Sequence, residues 1–157
     1  IRAATALTGH MGLELNLLTE RQSDLEQLKL AISLHKEHRN LLHDGDLHRL
    51  DTSPQHLAFG VVAKDRSEAL YSVTYMASDP HVLPGQLRFA GLDAERSYRI
   101  RLVWPRNWQA VKAPSLIEQL DLGGEGAVFS GAALMQAGMQ LPHAQPETCL
   151  LFYLSAI

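Results

Sequence analysis

Apolar residues recur at helical spacing in one long stretch of the chain and in alternation almost everywhere after it. Leu25, Leu28, Ala31, Ile32, Leu34, Leu41 and Leu42 share one face of a 3.6-residue period and predict a helix over residues 20–43. Thr19 is its expected N-cap and Gly45 its stop. Glu20 and Asp24 suit the positive end of its dipole, and Lys36, His38, Arg39 and His43 the negative end. Residues 1–7 also read as helix, with no capping Ser, Asp or Asn ahead of them, so the chain is expected to be a piece of a longer protein. Gly9, His10 and Gly12 end that segment. Leu13 to Leu17 then alternates like a short strand or an extended link.

From Asp46 the period becomes two. Residues 47–50 form a short candidate strand. Residues 56–63 and 68–76 read as a β-hairpin closed by the polar turn Lys64-Asp65-Arg66-Ser67. A Pro-rich loop over 79–85 leads to candidate strands at 86–89 and 98–104. Residues 105–126 are expected to be a long loop with one helical turn. Residues 127–130 return to strand, 130–135 make a helical turn, and 139–141 and 148–155 close the chain as strands. Short strands with turns every eight to twelve residues or so predict a mainly β fold, an antiparallel β-sandwich preceded by the long helix. The division expected is residues 1–45 as helical elements and 46–157 as the sandwich.

Bulk composition narrows the function classes. The 157 residues make one domain's length, and a formal net charge of -3, with Lys and Arg scattered, gives no basic stripe for nucleic acid or anionic membrane. There is no apolar run of the ~18 residues that a membrane helix needs. The single cysteine, Cys149, lies in the apolar run 149–154, where a small buried hydrophobe fits better than a reactive thiol. With no internal disulfide available, a reducing, cytoplasmic setting is expected.

Candidate chemistry is sparse. His35 and His38 are spaced i, i+3, whereas a helical zinc site of the protease type wants i, i+4 with a Glu between, so no metal and no cofactor is expected. Asp44, Asp46 and Asp51 read as a solvated turn rather than a sugar-cleaving pair. Gly123-Gly124-Glu125-Gly126 lacks the Lys and Ser/Thr of a phosphate loop. Trp104 and Trp108 are the candidate substrate-binding residues, since an aromatic platform stacks on the apolar face of a sugar ring. The alternative is that both cover the edge of the sandwich core.

Several segments carry a resemblance. The run Lys36-Glu37-His38-Arg39-Asn40-Leu41-Leu42-His43-Asp44-Gly45 into Asp46–Leu50 resembles the end of the catalytic domain of glycoside hydrolase family 36 α-galactosidases, where a Lys-x-x-Arg helix end passes through a Gly turn into a strand. Gly9-His10-Met11-Gly12-Leu13-Glu14-Leu15-Asn16-Leu17 is similar to the preceding Gly-x-x-Gly-x-Glu-Leu-Asp-Leu segment. Asn16 stands where the family usually has Asp, and Thr8 where it tends to have Phe. Arg66–Tyr71, Leu83–Tyr98 and Ser130–Pro142 resemble the family's C-terminal β-domain.

The resemblance implies a (β/α)8 barrel upstream, absent from this chain, with residues 1–45 as its last helical elements and the sandwich packed behind it. It also implies retaining hydrolysis of terminal α-galactosyl residues, as in melibiose and raffinose, by two aspartates. The family's nucleophile sits in a Lys-Trp-Asp motif and its acid/base in a Trp-x-Ser pattern; neither occurs here, so no catalytic residue is expected in this chain. The parent is therefore expected to be the enzyme, with galactosides, the barrel and a second copy of the protein as partners, and this part a structural domain. A carbohydrate-binding module using Trp104 and Trp108 is the alternative, and a stand-alone α+β interaction domain a third reading.

Overall fold

Alternation along the C-terminal two-thirds of the chain builds one large antiparallel sheet, and the helices ahead of it cover part of one face. The computed structural model describes residues 2–80, 84–106 and 115–157. In chain order the elements are α1 (Arg2–Leu7), α2 (Gln22–Asp44), β1 (Asp46–Leu50), β2 (His56–Val62), β3 (Glu68–Tyr75), β4 (Gln86–Leu87), β5 (Ser97–Trp104), α3 (Ser115–Gln119), β6 (Ala127–Ser130), α4 (Gly131–Gln136), β7 (Met139–Gln140) and β8 (Cys149–Ala156). Six strands pair in the order β1-β2-β3-β8-β5-β6, and β4 and β7 form a separate two-stranded ribbon. The mainly antiparallel class is the one expected. Its second layer consists of this ribbon with α3, α4 and their loops.

The last strand, β8, inserts between β3 and β5, pairing with both. That central place explains its unbroken apolar sequence, because both of its faces are covered. Leu150, Phe152 and Leu154 face the ribbon layer, and Cys149 and Leu151 face the helices. Neighbouring strands follow the same parity. Ala69, Tyr71, Val73 and Tyr75 of β3 and Tyr98, Ile100 and Leu102 of β5 join Phe152 on the ribbon side, with Phe89, Ile117, Leu122 and Leu134 above them. Tyr71 and Phe89 meet edge to face with ring centroids 4.9 Å apart. Gly60 lies opposite Tyr71 in the β2–β3 register, and a Cβ there would fall within the Tyr71 ring. The glycine is required by packing.

Buried tyrosines on this side keep their hydroxyls satisfied. Tyr71 donates to the Ala90 carbonyl (2.7 Å), Tyr98 to the Arg66 carbonyl (2.8 Å) and Tyr75 to the Pro142 carbonyl. Burial pushes the Tyr71 and Tyr75 hydroxyls well above the ordinary phenol range, which keeps them neutral donors.

The N-terminus of α2 differs from expectation. The helix starts at Gln22, its N-cap position is Arg21, and no side chain caps it. Thr19 instead closes a preceding turn, its hydroxyl donating to the Asn16 carbonyl (3.0 Å). An exposed Arg21–Asp24 ion pair at 2.7 Å bridges the first helical turn. Gly45 does end the helix, with its N–H donating to the Leu41 carbonyl. Its role is close approach, since a Cβ would lie 2.7 Å from both the Leu41 carbonyl and the Val61 side chain. Residues 13–17 form the extended link and no strand.

Candidate functional site

The helix-facing side of the sheet is where chemistry-bearing side chains gather. α1 and α2 pack there through Ala4, Leu7, Leu34 and Leu41 against Val61, Leu70, Cys149 and Leu151. Only the C-terminal half of α2 is fully engaged, with Ala31, Leu34, His38 and Leu41 buried. Leu25 and Leu28, nearer its start, remain half-buried in the wall of a cleft of about 720 Å³.

That cleft is bounded by α1, residues 11–15, the first half of α2 and Trp104. Two exposed leucines line it, Leu13 at 45% and Leu15 at 42% exposure, and Leu17 and Leu18, exposed at 52% and 95%, follow them in the chain. Arg2, Glu14, Glu20 and Asp24 add polar groups to the wall. An exposed apolar cleft of this kind is a candidate docking surface.

Trp104 reaches the cleft because β5 breaks its own alternation. The β5–β8 register runs Leu102↔Phe152 and then Trp104↔Leu151, so an extra residue is accommodated at Val103. Strict alternation would send Trp104 to the ribbon side with Leu102. The irregularity turns it toward the helices, half-buried beside the α1–α2 cluster. The other candidate sugar-binding residue, Trp108, lies outside the described residues.

The C-terminal half of the helix–sheet seam is polar. The His38 ring stacks on Tyr153 with centroids 4.5 Å apart, its Nε2 4.0 Å from a Glu37 carboxylate oxygen. The Tyr153 hydroxyl donates to Glu68 (2.7 Å), and the Arg101 guanidinium lies 5.6 Å from the centre of the same ring. Burial lowers the proton affinity of His38. Glu37 and Glu68 oppose that shift and Arg101 reinforces it. The Tyr153 hydroxyl is pushed up, first by burial and then by its bond to Glu68.

His35 and His38, neighbours in the sequence pattern, diverge. His35 turns toward α1, its Nδ1 3.3 Å from the Leu7 carbonyl, while His38 turns to the sheet. Among the described residues no group of three His, Cys, Asp or Glu side chains is placed to hold a metal. Cys149 is buried, its sulfur 3.4 Å from the Ser72 hydroxyl. Asp44, Asp46 and Asp51 are exposed around β1. Arg101 and Tyr153 were not singled out by sequence reasoning. Arg101 follows the same alternation as Ser97 and Arg99 in β5, so the pattern did not distinguish it, and Tyr153 was visible only as a hydroxyl-bearing residue within an apolar run.

Comparison with known proteins places this architecture. Residues 56–154 match the model of the glycosyl hydrolase family 36 C-terminal domain. The α-galactosidase of Escherichia coli is 36% identical over 98% of this chain, which corresponds to 22% of that protein. The crystal structure of the family 36 α-galactosidase AgaA from Geobacillus stearothermophilus superposes with a TM-score of 0.78 at 27% identity, covering 99% of this chain and 19% of that one. A variant of AgaA in complex with raffinose gives 0.77 at 26% identity, with the same coverage of both chains. The chain thus spans about a fifth of the length of these relatives. Among the described residues no helix is long and apolar enough to cross a membrane. By its sequence, its sheet and its matched domain, the chain belongs to glycoside hydrolase family 36.

Proposed function

We propose that residues 46–157 are the non-catalytic C-terminal domain of a retaining α-galactosidase acting on terminal α-galactosyl residues of oligosaccharides such as raffinose and melibiose. Residues 1–45 supply the last helical elements of its catalytic barrel. The observation that carries the reading is the cleft walled by Leu13, Leu15, Leu25 and Leu28, with the exposed Leu17 and Leu18 next to it in the chain, on the side of the molecule where a barrel would continue. The E. coli relative named as an α-galactosidase and the AgaA complex with raffinose support the activity and the substrate class. The domain's role is then to back the barrel, holding α1 and α2 against a rigid sheet. A cytoplasmic location belongs to the same reading, in keeping with one buried, unpaired cysteine.

The test compares the full-length protein with residues 1–157 alone on a nitrophenyl α-galactoside. The full-length protein is expected to turn over and the fragment to be silent. Turnover by the fragment would overturn the non-catalytic assignment, and a silent, folded full-length protein the galactosidase assignment.

A second reading has its own observation: Trp104 is turned into a cleft that also holds Arg2, Glu14 and Glu20, groups able to bond sugar hydroxyls. If the cleft binds sugar, raffinose or galactose will shift tryptophan fluorescence saturably, and Trp104→Ala or Trp108→Ala will abolish the shift. No response at high sugar rejects it.

A further inference from the structure

A second, smaller pocket opens at the other end of the helix–sheet seam. β6 pairs with β5 only along Ser97–Ile100, so the outer edge of β5 is bare of strand beyond that point. The Leu102 N–H is taken instead by the Leu122 carbonyl (2.6 Å), from the turn that follows α3. The gap left between this turn, α2 and β5 is a pocket of about 230 Å³.

Its chemistry is lopsided. Arg101 and Arg106 both line it, against one carboxylate, Glu37, which also leans toward His38 at 4.0 Å. The Tyr153 hydroxyl faces away to Glu68, and the Tyr153 ring holds the Arg101 guanidinium in place. Among the described residues the Nε of Arg101 is buried with no hydrogen-bond partner, an arrangement that costs free energy unless something else accepts the bond. Gly123 and Gly124 complete the wall and bring backbone, free of side-chain bulk, to its edge.

We propose that this pocket binds a small oxyanion of phosphate size, free or as the head of a phosphate monoester, with Arg101 and Arg106 as its ligands. A planar guanidinium presents paired N–H donors to such a group, and two of them supply more positive charge than Glu37 cancels. Arg101 is the pre-positioned ligand, fixed by its ring contact and its strand. Arg106, exposed at the mouth, closes on the anion from outside.

Calorimetric titration of the full-length protein in chloride buffer, with inorganic phosphate and separately with glucose 6-phosphate, tests the proposal. Saturable binding is expected, weakened about tenfold by Arg106→Gln, which removes a charge-assisted contact at an exposed position and leaves the melting temperature unchanged. Arg101→Gln is expected to weaken it at least as much, and Glu37→Gln to tighten it. Binding of the ester but not of free phosphate, with the same arginine dependence, identifies a phosphorylated metabolite as the occupant. No saturation by either probe at tens of millimolar, or binding unchanged in Arg101→Gln and in Arg106→Gln, overturns the site.

Discussion

The two faces of the six-stranded sheet are built on different terms. The ribbon face is closed by the chain's own C-terminal half. Tyr71, Phe89, Tyr98 and Phe152 are fully buried there, and each of the three tyrosine hydroxyls on that side has a backbone carbonyl. The helix face is smaller, carries His38, Ser72, Cys149 and Arg101, and gives way at one end to an open cleft. The first has the density and polar satisfaction of a domain core. The second resembles an interface between two units, with polar groups kept among the apolar ones. On the proposed division at residue 45, the ribbon face belongs to the C-terminal domain itself and the helix face to its junction with the barrel.

Substitutions on the two faces should therefore differ in kind as well as in size. Phe152→Ala removes a buried ring from the centre of the ribbon face and is expected to cost about 3–5 kcal/mol in denaturant unfolding, with all strand amides exchanging faster. Leu34→Ala, on the inner side of α2, should cost about 2–4 kcal/mol and loosen α1 and α2 first. Hydrogen exchange read residue by residue would show this. Strand amides of β3 and β8 opening together with α2 in Leu34→Ala would dissolve the distinction between the faces.

Acid should discriminate between them as well. His38 has a proton affinity below the ordinary histidine value of 6.5 because it is buried. The unfolded chain then holds more protons than the folded one just below that value. Stability is full above pH 6.5 and falls as the pH drops from there through the folded-state value. His56, on the ribbon side against Tyr75 and beside Ser53 and Asp79, adds an acid sensitivity of the same sign there, so the helix-face part is the one that His38→Gln removes. The α2 amides should lose protection earlier than those of β8 on acidification, and His38→Gln should flatten that loss. An unchanged slope in His38→Gln would assign the acid sensitivity elsewhere. The smallest effect expected lies on the ribbon side. Ser130 caps α4 by accepting from the Ala133 N–H at 3.1 Å, and Ser130→Ala should lower the melting free energy by about 1 kcal/mol.

Much of this architecture could be read from the residues in order. The body of α2 follows from its apolar period. The β2–β3 hairpin follows from two alternating runs around Lys64–Ser67, where Asp65 accepts from both the Ser67 N–H and hydroxyl and Arg66 takes a positive φ of 58°. What could not be read are facts of pairing. Nothing local in β8 says that it lies between β3 and β5, or that Gln86–Leu87 will find Met139–Gln140. The start of α2 was misplaced because Thr19 serves a turn as readily as a helix end, and only tertiary context decides. The candidate surface was legible only as composition: the leucines of residues 13–18 were visible, but not that they would stay uncovered.

The irregularity at Val103 has a consequence for how this strand tolerates change. A β-strand assigns its residues to faces by parity, and the extra residue in β5 reverses that parity just before its end. Deleting Val103 would take out the extra residue and restore strict counting, with Trp104 directly after Leu102, opposite Leu151 and still toward the helices. Ironing out the bulge with Val103 kept would instead set Val103 opposite Leu151 and Trp104 opposite Leu150, on the side of the aromatic core. In this stretch the bulge, more than the identity of any one residue in it, determines which half of the molecule owns the tryptophan.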